Sequence, residues 1–210
     1  MRLRLLLPSL LLAVSALSLG THGRAQVAPA PLQRDIAQGE HCLRQMEGDA
    51  QGAISLARNM LAREGASEVA RMMALACLVR SQLMTGNGAQ AQAAVPELLQ
   101  LLDSASAPQQ LRVEMRLYTA TALQELGQLR LAGEVLEAAL AESEPYTNLH
   151  LQALVGVALH HARGMGDPAG AEPYFQRAVD ATTRRPGGQL PRDAIPYFNY
   201  GLAVLDQGRD

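Results

Sequence analysis

Two cysteines, five histidines and a complete absence of lysine limit the chemistry open to this chain. All 18 basic residues are Arg. Reactions that need an ε-amine are therefore excluded: a phosphate-binding P-loop lysine, a kinase strand lysine, a Schiff base. The histidines are His22, His41, His150, His160 and His161. Adjacent His160 and His161 would point about 100° apart on a helix, and His150 lies about three turns before His161. Neither a metal site nor acid–base work is expected of them. The carboxylates Glu40 with Glu47, Glu134 with Glu137, and Glu142 with Glu144 read as solvated helix faces, not a poised catalytic pair. There is no Gly-x-Ser-x-Gly and no His-Glu-x-x-His. Gly86-Asn87-Gly88 reads as a helix–helix turn, not a nucleotide loop. We expect no catalytic residue, no cofactor, no metal and no enzymatic activity. Cys42 and Cys77 have no Cys or His partners at metal-ligand spacing. In an exported chain an even cysteine count favours a disulfide. The alternative is two small buried residues that never meet.

The start of the chain argues for export. Met1-Arg2-Leu3-Arg4 precedes an apolar run from Leu5 to Leu19 broken only by Pro8, Ser9, Ser15 and Ser18. A basic start, a short apolar stretch and then small residues describe a signal peptide over residues 1–25, ending at Gly23-Arg24-Ala25. Cleavage after Ser18-Leu19-Gly20 and an uncleaved anchor are the alternatives. The run is too short and interrupted for a good membrane span. Removing Arg2, Arg4 and Arg24 leaves 15 arginines against 20 acids, a formal charge of −5. No basic patch remains for nucleic acid or anionic lipid. Residues 26–34, rich in Ala and Pro, read as a flexible tether. The expected product is periplasmic or secreted, with no stable membrane span after cleavage.

The elements that position these residues follow from composition. Of 210 residues, 48% are hydrophobic but only 3% aromatic, and Ala and Leu contribute 35 each. Both are strong helix formers, and the residues that fill sheets are scarce. An all-α domain over residues 35–210 is expected, and a β-sandwich or barrel is excluded. Four segments then align: Gly48-Asp49-Ala50-Gln51-Gly52-Ala53, Gly86-Asn87-Gly88-Ala89-Gln90-Ala91, Gly127-Gln128-Leu129-Arg130-Leu131-Ala132 and Gly166-Asp167-Pro168-Ala169-Gly170-Ala171. Each has Ala five places after Gly, and successive alanines are 38, 41 and 39 residues apart. Gly ends one helix in the left-handed conformation, a short turn follows, and Ala lets the next helix pack closely. Helices are expected at about 35–47 and 49–64, 67–85 and 88–103, 108–126 and 129–143, 147–164 and 168–184, with a lone ninth at 191–207.

This pattern resembles the tetratricopeptide repeat family. The fourth copy is the clearest: Gly166, Ala171, Phe175 and Ala178 match the family's Gly, Ala, aromatic and Ala positions. Gly127, Ala132, Leu136 and Ala139 follow closely, then Gly86 and Ala91, then Gly48 and Ala53. The period here is about 40 residues against the usual 34, and the family's Trp is missing. The resemblance implies a right-handed α-solenoid of stacked antiparallel helix pairs, about four repeats plus the lone helix. It also implies that the helices carrying Cys42 and Cys77 stack side by side. In that family the first helix of each pair lines a groove that receives a partner segment. Counting back from each Gly, the resemblance points to Arg80, Met84, Leu117, Thr121, Gln124, His160 and Arg163. The family's two-carboxylate clamp uses lysines, and this chain has none. The expected function is a non-enzymatic scaffold binding a peptide or protein. The alternative is the sensing ectodomain of a longer membrane signalling protein, such as a diguanylate cyclase. The apolar 191–207 helix suggests self-association, truncation, or packing on the fourth repeat.

Overall fold

A computed structural model describes residues 30–183, apart from 105, 106 and 146. The expected signal peptide, most of the tether and the 191–207 helix lie outside the described residues. Among the described residues the chain is all-helical, with no strand. It forms α1 (Ala30–Gln45), α2 (Ala50–Ala62), α3 (Glu68–Met84), α4 (Gly88–Leu102), α5 (Gln109–Glu125), α6 (Leu129–Glu142), α7 (Asn148–Leu159), a π-helical turn (His160–Gly164) and α8 (Pro168–Thr183). Two boundaries differ from expectation. Residues 30–34 belong to α1, not to a tether, because Pro31 is tolerated in a first helical turn. The expected 147–164 helix ends as α at Leu159 and widens into the π turn.

The recurring alanines explain the packing. Ala53, Ala91 and Ala132 are fully buried and Ala171 nearly so. Phe175 and Ala178 sit in the same interior. Each α-helix packs on the next, and α1, α3, α5 and α7 also touch in series. Met60, Met72, Met73 and Met115 fill the core beside Ile54, Leu98, Leu123 and Leu154. Flexible thioethers suit irregular gaps between helices of unequal spacing. The thinnest contact between consecutive helices is α4 with α5. Buried Arg116 of α5 bridges it, reaching the Leu102 carbonyl oxygen (3.1 Å), Asp103 (3.0 Å) and, on α6, Glu142 (3.1 Å).

The turns are of two kinds. Gly86, Gly127 and Gly166 take φ of 79°, 72° and 63°, the left-handed region where a side chain is strained. The Asn87 N–H then reaches back to the Gln82 carbonyl (2.7 Å), and the Gln128 N–H to that of Leu123 (2.9 Å). Gly48 does not follow this pattern: its φ is not positive. There the Asp49 N–H bonds the Gln45 carbonyl at 2.8 Å, and Asp49 caps α2 through the Gly52 N–H at 2.8 Å. The first turn is thus closed by a carboxylate cap instead of a left-handed glycine. Asp167 repeats that cap on the Gly170 N–H at 2.9 Å.

Candidate partner-binding face

Cys42 of α1 and Cys77 of α3 are joined in a disulfide, with Cα atoms 6.1 Å apart and both residues fully buried. Next to it, Gly39 lets α1 approach α3 so closely that a Cβ there would lie 2.5 Å from the Met73 Cβ. Asp35 fastens the other end of the contact. Its carboxylate accepts from Ser67 Oγ (2.5 Å) and Arg63 (2.6 Å). Burial pushes the Asp35 carboxyl up, but the bonds from Ser67 and Arg63 outweigh it and hold the group below its ordinary range. α1 is therefore fixed against α3 in register.

That register brings charged side chains of α1, α3 and α5 together. On α5, Glu114, Tyr118, Thr121 and Glu125 recur at intervals of four, three and four residues, the spacing of one helix face. Glu114 and Tyr118 are half-buried, and Thr121 and Glu125 are exposed. Arg80 of α3 pairs with Glu125 at 2.6 Å. The Glu114 carboxyl is pushed up by burial and then by the negative charge of Glu40 on α1. The Tyr118 hydroxyl is pushed up by burial, Glu114 and Glu47, and drawn down by Arg80. Glu114 and Tyr118 thus feel charges from the α1 and α3 side of the molecule, and the Arg80–Glu125 pair ties α3 to α5 beside them. The face combines an aromatic ring, several carboxylates and one guanidinium.

The residues expected to line a groove fall into three groups. Arg80 and Thr121 belong to the face just described. Thr121 Oγ1 donates to the Leu117 carbonyl oxygen at 3.1 Å. Met84 ends α3 and is 51% exposed, and Arg163 is exposed at the end of the π turn. Leu117 and His160 do not present their side chains to solvent; they are 8% and 6% exposed. Leu117 is enclosed in the common hydrophobic core. His160 is enclosed by Gln124, Gly133 and Gly164. Gln124 is spent on that contact, its Nε2 lying 3.4 Å from His160 Nδ1. Counting back from a glycine gives a residue's height along the helix but not which neighbour covers it. Glu40, Glu47, Glu114, Tyr118 and Glu125 were not among the residues expected to line a groove, although the four-three-four interval on α5 was readable.

The second half of the chain holds another polar cluster. His161 stacks on Tyr174 (ring centroids 5.5 Å apart) and lies 3.5 Å from Asp167. The Tyr174 hydroxyl donates to Glu137 at 2.8 Å, and Arg177 sits over the Tyr174 ring at 5.6 Å. Glu137 accordingly raises the Tyr174 hydroxyl, ahead of burial. Among the described residues, no three His, Cys, Asp or Glu side chains gather as a metal site, and no helix is long and apolar enough to cross a membrane. No family model matches the chain, and no curated protein matches it.

Proposed function

We propose that this protein is a non-enzymatic interaction scaffold that holds a peptide or protein partner along the face formed by α1, α3 and α5. In this reading the helix pairs are four tetratricopeptide-like repeats in a right-handed solenoid, and their first helices line the concave side. The observation that carries the reading is the Arg80–Glu125 ion pair between α3 and α5, with Glu114 and Tyr118 on the same face of α5 under the influence of Glu40 on α1 and Arg80 on α3. Residues that merely solvate a helix have no need to line up across three. The half-buried Tyr118 supplies broad apolar contact with a polar tip, and the carboxylates supply orientation. The chain works in an exported, oxidising compartment in this reading; the Cys42–Cys77 disulfide supports it.

The test is photo-crosslinking in the native host. A photoreactive residue replaces Tyr118 on the face, and in a second strain Ser55, which is exposed on α2. A discrete adduct from position 118 and none from 55 is expected. Equal labelling at both positions, or none at 118, contradicts the proposal.

A further inference from the structure

We infer that the end of α7 is held against α5 and α6 by the buried neutral imidazole of His160, so that mild acid opens this junction while the α1–α3 junction stays closed. At the start of α7, Ser143 Oγ donates to the Leu140 carbonyl oxygen at 2.8 Å. Its one proton being used, it accepts from His150 Nδ1, 2.9 Å away. At the far end, the Gln124 amide nitrogen faces His160 Nδ1 at 3.4 Å, an arrangement that suits an unprotonated Nδ1. The ring is held tightly. A Cβ on Gly133 would lie 2.9 Å from Nε2, and one on Gly164 3.0 Å from Nδ1. Between the two ends, Leu136 of α6 enters the hollow at Gly156, where a Cβ would lie 2.9 Å from Leu136 Cδ2. The pairs Gly133–His160 and Leu136–Gly156 show the two helices running in opposite senses.

Protonation acts against the His160 contact; at His150 the added proton goes to Nε2, and Nδ1–H goes on donating to Ser143 Oγ. A proton on His160 Nδ1 requires the Gln124 amide to turn its oxygen toward the ring, and it places a charge in an interior where His160 is 6% exposed. The charged groups around these rings come from each packed element. Glu137 of α6 favours charge on His160, and His161 of the π turn opposes it. Arg177 of α8 opposes charge on His150, and the hydrogen bond to Ser143 favours it. Asp167 and Tyr174 reach the cluster through His161, and α5 presents the neutral Gln124 amide there. Burial is the first cause holding both imidazoles below their ordinary 6.5, followed by Arg177 for His150 and His161 for His160. The folded chain therefore binds fewer protons than the unfolded chain just below that value. The stabilisation is complete above about pH 6.5 and declines as pH falls through it. Asp35, whose carboxyl is held below 3.8, keeps its contribution across that window and loses it only in stronger acid. The disulfide does not titrate.

Hydrogen exchange of the full chain, corrected for intrinsic rates, tests this at about pH 7.5 and about pH 5.5. Amides of α7 and α8 should lose protection by at least about threefold, with α1–α4 unchanged. The paired change His150→Gln and His160→Gln should level the difference. Should that variant fail to fold, imidazole NMR titration of the wild-type protein decides the matter. Midpoints for His150 and His160 below those of the unfolded chain are expected. Midpoints at or above the unfolded values, or an acid response spread evenly over all helices, overturn the proposal.

Discussion

At the α1–α3 junction, a glycine hollow at Gly39 receives Met73 and the Cys42–Cys77 bond locks the contact. At the α6–α7 junction, the hollows at Gly133 and Gly156 receive His160 and Leu136, and no covalent bond follows. Both use the absence of a side chain to bring helices together. They differ in what holds them there. The first couples a covalent link with the bonds that Arg63 and Ser67 donate to buried Asp35, and its strength depends on oxidation. The second depends on the neutral imidazole of His160 buried against Gly133, and on our inference its strength depends on pH. Similar packing units can thus carry different sensitivities, because close approach and fastening are supplied by different residues.

The largest expected effect breaks the first junction. The disulfide closes a separation of 35 residues. Cys42→Ser should cost about 3–4 kcal/mol by loop-closure entropy. Denaturant titration with and without reductant checks this: reductant should move the wild type and leave the variant unmoved. A smaller effect shows whether the packing units at the two ends are equivalent. Ala53→Leu and Ala171→Leu should each cost about 1–3 kcal/mol, because both alanines sit in closed interior. Exposed Ala169→Leu should change stability by no more than about 0.5 kcal/mol. Equal melting temperatures for the 169 and 171 variants would contradict the packing described here. The smallest effect separates the turns. Gly86→Ala forces a side chain into the left-handed region and should cost about 1 kcal/mol. Gly48→Ala, whose Cβ would meet nothing within 4 Å, should be neutral or stabilise by less than about 1 kcal/mol. Thermal unfolding of the two variants side by side distinguishes these outcomes.

Most of the helical skeleton was legible because Ala and Leu supply propensity and Gly supplies punctuation. From α2 to α6 the expected boundaries lie within two residues of those observed. The failures have specific causes. Pro31 was read as a tether residue although a first helical turn needs no N–H there. Gly48 was read by analogy with Gly86, but the Asp49 cap closes that turn. The π turn at His160–Gly164 coincides with tight packing around the His160 ring, and no local sequence pattern reports it. Gly39, Gly133 and Gly156 each leave no room for a Cβ against a neighbouring element yet fall outside the repeating Gly–Ala beat, so alignment of the copies passed over them. On the candidate face, Arg80 was found from its position before Gly86, whereas Glu114 and Tyr118 required the helical interval on α5. Their link to Glu40 and Glu47 spans about seventy residues of chain, a relation that only the α1–α3–α5 stacking supplies.

The contrast between the two junctions is tested most directly by one hydrogen-exchange map of the whole chain, recorded once with reductant at neutral pH and once at mildly acidic pH without it. Reductant should speed exchange in α1 and the facing part of α3 while α6–α8 keep their protection; acid should do the reverse. A map in which both treatments loosen the same helices would contradict the assignment of separate fasteners.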